Sequence, residues 1–178
     1  MRRNAAVRAS TRKMQMGKPE TASLEPPRFE DGKPMLIAGL AQRHRGTNAG
    51  IPDQWRRFAP QIGNLPGQVG CAAYGVVFDS LGDAGSFGYL AGVEVSDLGG
   101  LPEGFGHLEI PAQRYAVFSH RGHVSGIART MGAIMGEWLP SSGNTRVTDG
   151  ADFLERYGEE FDPQTGMGGV EVWIPIKP

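Results

Sequence analysis

Glu171 and Trp173 lie in the most strongly β-like run of the chain, residues 167–176, and together could bind an organic cation. Successive side chains of a strand point to opposite faces. One face of this run is wholly aliphatic and is therefore core, whereas the other carries Glu171 and Trp173. A buried carboxylate needs a partner or it takes up a proton, and an indole ring attracts cations. The alternative is an edge-strand glutamate in water beside a half-covered tryptophan.

Two short motifs recur and predict an internal duplication. Gly-Val-Glu-Val occurs at 92–95 and 169–172, 77 positions apart, and His-Arg-Gly occurs at 44–46 and 120–122, 76 positions apart. Nearly equal offsets indicate a repeated unit of roughly 75 residues. The duplication would place Glu94 at the position equivalent to Glu171. Asp97 follows closely, so a solvated strand end is the alternative for Glu94.

The hydrophobic periodicity predicts the same element order in both halves. Strands are predicted at 35–41, 71–78, 87–95, 112–119 and 167–176, and amphipathic helices at 51–62 and 124–138. A short strand at 145–147 and an inserted helical turn at 152–157 complete the second half. We therefore predict an α+β fold made of a duplicated β-α-β-β unit, with repeat 1 at about 35–97 and repeat 2 at about 109–177. The two units would form an antiparallel sheet with both helices packed on one face.

The composition is that of one globular domain with a basic N-terminal tail. The chain has 178 residues, of which 39% are hydrophobic. Residues 1–34 are predicted to be disordered or extended, and the first eighteen hold six basic residues and no acidic one. The remainder has twelve basic and nineteen acidic residues, so we expect no direct nucleic-acid binding by the domain.

Cys71 is the single cysteine, which excludes an internal disulfide and fits a reducing, cytoplasmic compartment. No apolar run reaches the length of a membrane span, so no membrane association is expected. His120 and His123 lack a third ligand nearby in the sequence, and we predict neither a metal site nor a cofactor. Trp55 and Phe58 recur at helical spacing, which is typical of core residues as well as of ligand contacts. Tyr74 suits either role.

Three segments resemble the GyrI-like family, which includes the effector-binding domains of AraC-type and MerR-type multidrug regulators. These are the strand-to-loop stretch 115–122, the helix that ends in Trp138-Leu139-Pro140, and the C-terminal run 169–176. The resemblance covers residues 35–178. It implies a groove between the halves that binds small molecules, often lipophilic cations, around a glutamate on the last strand, here Glu171. The aromatic neighbours would be Trp55, Tyr74, Tyr89 and Trp173, and we add Glu94 and Phe58 as candidate contacts.

Three functions follow as expectations. Residues 1–34 are too few for a helix-turn-helix module, so we expect a stand-alone protein that binds an amphipathic, cationic aromatic molecule. Some family members resemble hydrolases of reactive lipophilic compounds, and Glu94 and Glu171 would then be the two catalytic glutamates. A protein-interaction role, with a regulator or a DNA-handling enzyme as the partner, is the third.

Overall fold

A computed structural model describes residues 24–80, 82, 85–147 and 150–178. Its described strands form one eight-stranded antiparallel sheet in the order β1-β6-β8-β7-β3-β4-β2-β5. The strands are β1 (Arg28–Gly32), β2 (Met35–Arg45), β3 (Gln68–Phe78), β4 (Ser86–Val95), β5 (Gly106–Ile110), β6 (Gln113–His120), β7 (Ala151–Tyr157) and β8 (Val170–Ile176). The α-helices are α1 (Ile51–Phe58), α2 (Ile127–Ala133) and α3 (Leu139–Ser142).

The element order confirms the duplicated β-α-β-β fold. The first unit is β2-α1-β3-β4 and the second is β6-α2-β7-β8, and the two units join where β3 pairs with β7. β1 leads directly into β2 but pairs with β6, while β5 leads into β6 but pairs with β2. β1, which precedes the first unit, therefore extends the sheet of the second unit. β5, which precedes the second unit, extends the sheet of the first unit. The sheet curls into a half-barrel.

The curled sheet has two buried faces. Alternate side chains of the strands pack under the helices, where Ala38, Tyr89, Val93 and Val172 are fully buried. We call this the helix face. The intervening side chains point into the curl and form a second cluster, which we call the inner face. That cluster includes Ile37, Tyr74, Val76, Leu90, Tyr115, Val117 and Leu154. Successive residues of a strand therefore place their side chains alternately on the helix face and on the inner face.

The structure contradicts one predicted element, and it differs from the predicted tail, second helix and short strand. Residues 152–157, predicted as a helical turn, lie within strand β7, which pairs with β3 and β8. β1 lies inside the predicted tail, whose residues 1–23 are outside the described part of the chain. The second helical segment passes through a π-helical turn at Ile134–Trp138 and continues as α3, beyond the predicted end at 138. The short strand at 145–147 is reduced to a bridge between Arg146 and Ile176.

The two Gly-Val-Glu-Val copies do not occupy equivalent strand positions, contrary to the prediction. The repeated histidines provide the reference, because His44 pairs with Phe87 on β4 and His120 pairs with Val170 on β8. Glu94 lies seven residues beyond Phe87, whereas Glu171 lies one residue beyond Val170. The His-Arg-Gly match marks equivalent strand ends, and the tetrapeptide match does not.

Candidate functional site

The most unusual side chain on the helix face is the carboxylate of Glu155, on β7. Only 6% of this residue is exposed. Its Oε2 atom accepts two hydrogen bonds, one from the Tyr89 hydroxyl at 2.7 Å and one from the Tyr157 hydroxyl at 2.9 Å. Tyr157 lies two residues further along β7, while Tyr89 reaches over from β4. Side chains from the two strands that flank β3 thus converge on one carboxylate.

Gly75 makes this convergence sterically feasible. It lies on β3, between β4 and β7, and is the direct partner of Glu155 in the strand register. A Cβ at this position would lie 2.0 Å from the Tyr89 hydroxyl oxygen and 2.7 Å from Glu155 Oε2. Both separations are shorter than any ordinary contact between these atoms. Only glycine therefore leaves the opening through which Tyr89 reaches Glu155.

Aromatic rings surround the carboxylate. The Trp55 indole N–H on α1 donates to the Tyr89 hydroxyl at 2.9 Å, and the Trp55 ring meets the Tyr157 ring edge-on with centroids 4.9 Å apart. Phe161 packs on Tyr157 in the same way, also at 4.9 Å. Aromatic rings in contact prefer edge-to-face arrangements of this kind. Trp55 and Phe161 pack against this cluster and are only partly buried.

The electrostatic environment of Glu155 is unusual because no positive charge compensates it. Of the residues that the structure describes, no arginine, lysine or histidine forms an ion pair with Glu155. Burial raises the pKa of Glu155, while the bonds from Tyr89 and Tyr157 act in the opposite direction. Burial, followed by the proximity of Glu155, raises the pKa of both tyrosines well above the usual range, so both remain hydrogen-bond donors. The site is a buried acid with donors but without a counter-charge.

The repeated histidines fix the helices that flank this site. His44 Nε2 donates to Gln54 Oε1 at 2.7 Å, and His120 Nδ1 accepts from the Thr130 hydroxyl at 2.8 Å; each partner lies ten residues beyond its histidine. Gln54 is fully buried and donates to the carbonyl oxygens of Leu40 and Tyr89. It therefore attaches α1 to β2 and β4 and places the adjacent Trp55 over Tyr89.

The seven residues predicted to bind ligand do not form one pocket. Trp55, Tyr89 and Phe58 lie on the helix face, where Phe58 is fully buried as a core residue against Trp55 and Phe105. The other four side chains belong to the opposite, inner side of the sheet; they are Glu171, Trp173, Tyr74 and Glu94.

The inner-face carboxylates are already neutralised. Glu171 forms ion pairs with Arg28 at 2.9 Å and Arg156 at 3.5 Å, and it accepts the Trp173 indole N–H at 3.0 Å. Glu94 pairs with Lys33 at 2.9 Å. The charge that Glu171 needs is therefore supplied by the protein itself, in part by Arg28 from the predicted tail.

Glu155 is the residue that the sequence reasoning missed. The signal was present, because Phe153, Glu155 and Tyr157 alternate with Leu154 and Arg156 as in a strand. The same short run also fits helical spacing at 153, 154 and 157, and periodicity alone cannot separate the two over six residues. The assignment of 152–157 as a helical turn removed the strand alternation that would have placed Glu155 and Tyr157 on one face.

The duplicated β-α-β-β sheet is the fold of a class of small-molecule-binding domains. Residues 25–177 match the sequence model of the GyrI-like small molecule binding domain, and the chain belongs to the GyrI-like family. The transcriptional regulator BrlR of Pseudomonas aeruginosa is 35% identical over 128 residues. That alignment covers 71% of this chain and 46% of BrlR, so the chain spans about half the length of this relative.

Solved structures share the fold at lower identity. The structure of SAV2435 bound to tetraphenylphosphonium has a TM-score of 0.69 at 17% identity and covers 86% of this chain and 94% of that one. The EcmrR C-terminal domain has a TM-score of 0.60 at 15% identity and covers 84% and 96%. Within the part of the chain that the structure describes, no helix is both long and apolar enough to cross a membrane.

Proposed function

We propose that this domain binds an amphipathic cation with aromatic groups at Glu155, on the helix face of the sheet. One observation carries the proposal: Glu155 is a buried carboxylate with aromatic neighbours and no counter-charge among the described residues. A bound cation supplies the missing charge, and the rings of Trp55, Tyr157 and Phe161 offer cation–π and stacking contacts. The tetraphenylphosphonium in the SAV2435 structure is a ligand of this chemistry.

Binding requires the aromatic cover to open. With 6% of Glu155 exposed, a ligand that carries several rings cannot reach the carboxylate past Trp55 and Phe161 as they stand. We expect Trp55 to move first, because a single indole hydrogen bond and ring contacts hold its side chain at the partly exposed surface. Ligand binding should therefore change the tryptophan fluorescence, and Trp55→Phe should abolish most of that change.

The test compares the two candidate glutamates. Tetraphenylphosphonium affinity is measured by calorimetry for the unchanged protein, Glu155→Gln and Glu171→Gln. Two unit charges about 4 Å apart attract each other by about 4 kcal/mol at the effective dielectric constant typical of a protein surface, so Glu155→Gln should weaken binding at least tenfold. Glu171→Gln should change the affinity less than threefold, because Glu171 is paired with Arg28 and Arg156 on the other face. Triphenylphosphine oxide, a neutral molecule of similar shape, should bind both variants alike. Equal losses for the cation and the neutral molecule, or a larger loss in Glu171→Gln, would refute the assignment.

We also propose that ligand binding serves regulation. This rests on the relatives, since BrlR is named a transcriptional regulator and EcmrR has been solved in a complex with DNA. A regulatory domain of this kind binds its ligand without converting it. Recovery of unchanged tetraphenylphosphonium after prolonged incubation is the expected result, and product formation would favour a hydrolase instead.

A further inference from the structure

The two oxygens of Glu155 are not equivalent, and the difference bears on which cations the site accepts. Both tyrosine hydroxyls donate to Oε2, at 2.7 and 2.9 Å. Among the described residues, none donates a hydrogen bond to Oε1. A carboxylate oxygen offers about two lone-pair positions. Oε2 is therefore saturated by Tyr89 and Tyr157, and Oε1 retains its whole accepting capacity.

We propose that Gly75 and the two tyrosines make Glu155 a one-oxygen acceptor, which selects onium cations over guanidinium and amidinium cations. This inference rests on the proposed binding of cations at Glu155. A guanidinium or amidinium group binds a carboxylate best as a fork, with one N–H to each oxygen. In this site Oε2 already accepts two hydrogen bonds, so the second N–H of such a group has no free acceptor. Tetraphenylphosphonium has no N–H donor, so the occupied Oε2 does not weaken its binding. Its charge is attracted to the carboxylate by proximity alone and needs no hydrogen-bond acceptor.

Gly75 is the specificity-determining position because it controls access of Tyr89 to Oε2. It acts through the space that it leaves empty, since a Cβ there would lie only 2.0 Å from the Tyr89 hydroxyl oxygen. Its backbone is not in the left-handed region that favours glycine, so alanine is compatible with the strand conformation. Gly75→Ala should displace the Tyr89 hydroxyl from Glu155 and free one lone pair of Oε2.

The experiment measures two affinities for each variant, with tetraphenylphosphonium and diphenylguanidinium as the probes. The readout is the ratio of the guanidinium affinity to the phosphonium affinity. Tyr89→Phe and Tyr157→Phe each free one lone pair of Oε2, and each should raise the ratio by about tenfold, the scale of one charge-assisted hydrogen bond. Gly75→Ala should raise it in the same direction. Tyr115→Phe is the matched control, since Tyr115 lies on the inner face and should leave the ratio unchanged.

The outcomes separate this inference from the proposed function. If the unchanged protein binds neither probe, the proposed function fails. If tetraphenylphosphonium binds through Glu155 but neither tyrosine variant raises the ratio, the proposed function stands and the one-oxygen account is overturned. Tyr157→Phe is informative on its own, because it leaves the Trp55–Tyr89 hydrogen bond and Gly75 untouched. A general loosening of the site would weaken both probes together and leave the ratio constant, which would also overturn the inference.

The pH of the measurement matters for this test, because Glu155 itself titrates. The titratable groups that face it are Tyr89 from β4 and Tyr157 from β7, and His44 of β2 lies against the Tyr89 ring with centroids 6.3 Å apart. From α1 only the neutral Trp55 and Gln54 approach. The affinity ratio is therefore recorded at two pH values. The inference expects the tyrosine variants to raise the ratio at both, and a rise confined to one of them would contradict it.

Discussion

Replacing Gln54 by leucine tests whether α1 is held in place by the His44–Gln54 contact. Leucine has a similar size, so the change removes the polar contacts with little change in packing volume. Gln54 is fully buried and makes three hydrogen bonds of 2.7–2.8 Å, to His44, to the Leu40 carbonyl and to the Tyr89 carbonyl. The variant leaves the His44 N–H and two carbonyl positions facing an apolar side chain.

The expected loss of stability follows from these three groups. A buried polar group that loses its partner costs about 1–3 kcal/mol. The two carbonyls belong to paired strands and can retain ladder bonds, so we take the lower end for each. With the His44 N–H at its full range, the total is about 3–5 kcal/mol, which corresponds to a fall in Tm of roughly 6–20 °C for a domain of this size.

The assay is thermal unfolding followed by circular dichroism, with tetraphenylphosphonium titrations on the same samples. Thr130→Val is the matched control in the other half, because it removes the single bond to His120. It should cost about 1 kcal/mol, the scale of one net hydrogen bond. Gln54→Leu should also weaken ligand binding, since Trp55 would lose its fixed position over Tyr89. A Tm within about 2 °C of the unchanged protein, or equal losses in both variants, would refute the anchoring role of Gln54.

Two further predictions concern pH and the N-terminal strand. Because burial raises the pKa of Glu155 above its ordinary value of 4.5, the folded protein retains this proton to a higher pH than the unfolded chain. The free energy of unfolding should therefore fall as pH rises from about 4.5 through the raised pKa, and urea denaturation should show a smaller fall in Glu155→Gln. Deletion of residues 1–33 removes β1 and the Arg28–Glu171 ion pair, and it should lower the Tm, whereas deletion of residues 1–23 should not. Equal Tm values for the two deletions would show that β1 contributes nothing to stability.

The sequence predicted the duplicated β-α-β-β order because the apolar periodicity is strong in most elements, but it did not predict strands β1, β5 and β7. In the C-terminal strand the two faces were assigned correctly, and Glu171 and Trp173 do share the side opposite the aliphatic core. The sequence did not show which side chains from other strands lie beside these residues. Nothing local shows that Arg28 and Arg156 approach Glu171, because these contacts join β1, β7 and β8 across long separations.

The site was harder to predict for a related reason. Glu155 was hidden by a run too short to separate helical from strand periodicity, and its partner Tyr89 reaches it across a third strand. The functional signal of Gly75 is the absence of a side chain, which acquires meaning only when β4 and β7 are known to flank β3. Contacts of this kind depend on the pairing register of the strands. The two Gly-Val-Glu-Val copies are identical in sequence but lie at different register positions, so a comparison of motifs does not reveal the register.

The central claim is that the ligand carboxylate is Glu155 on the helix face, and a crystal structure with tetraphenylphosphonium tests it most directly. The account predicts the phosphonium beside Glu155, with Trp55 displaced from Tyr89 and the Glu171 ion pairs with Arg28 and Arg156 intact. Phosphonium density on the inner face beside Glu171 and Trp173, with Trp55 still bonded to Tyr89, would contradict it.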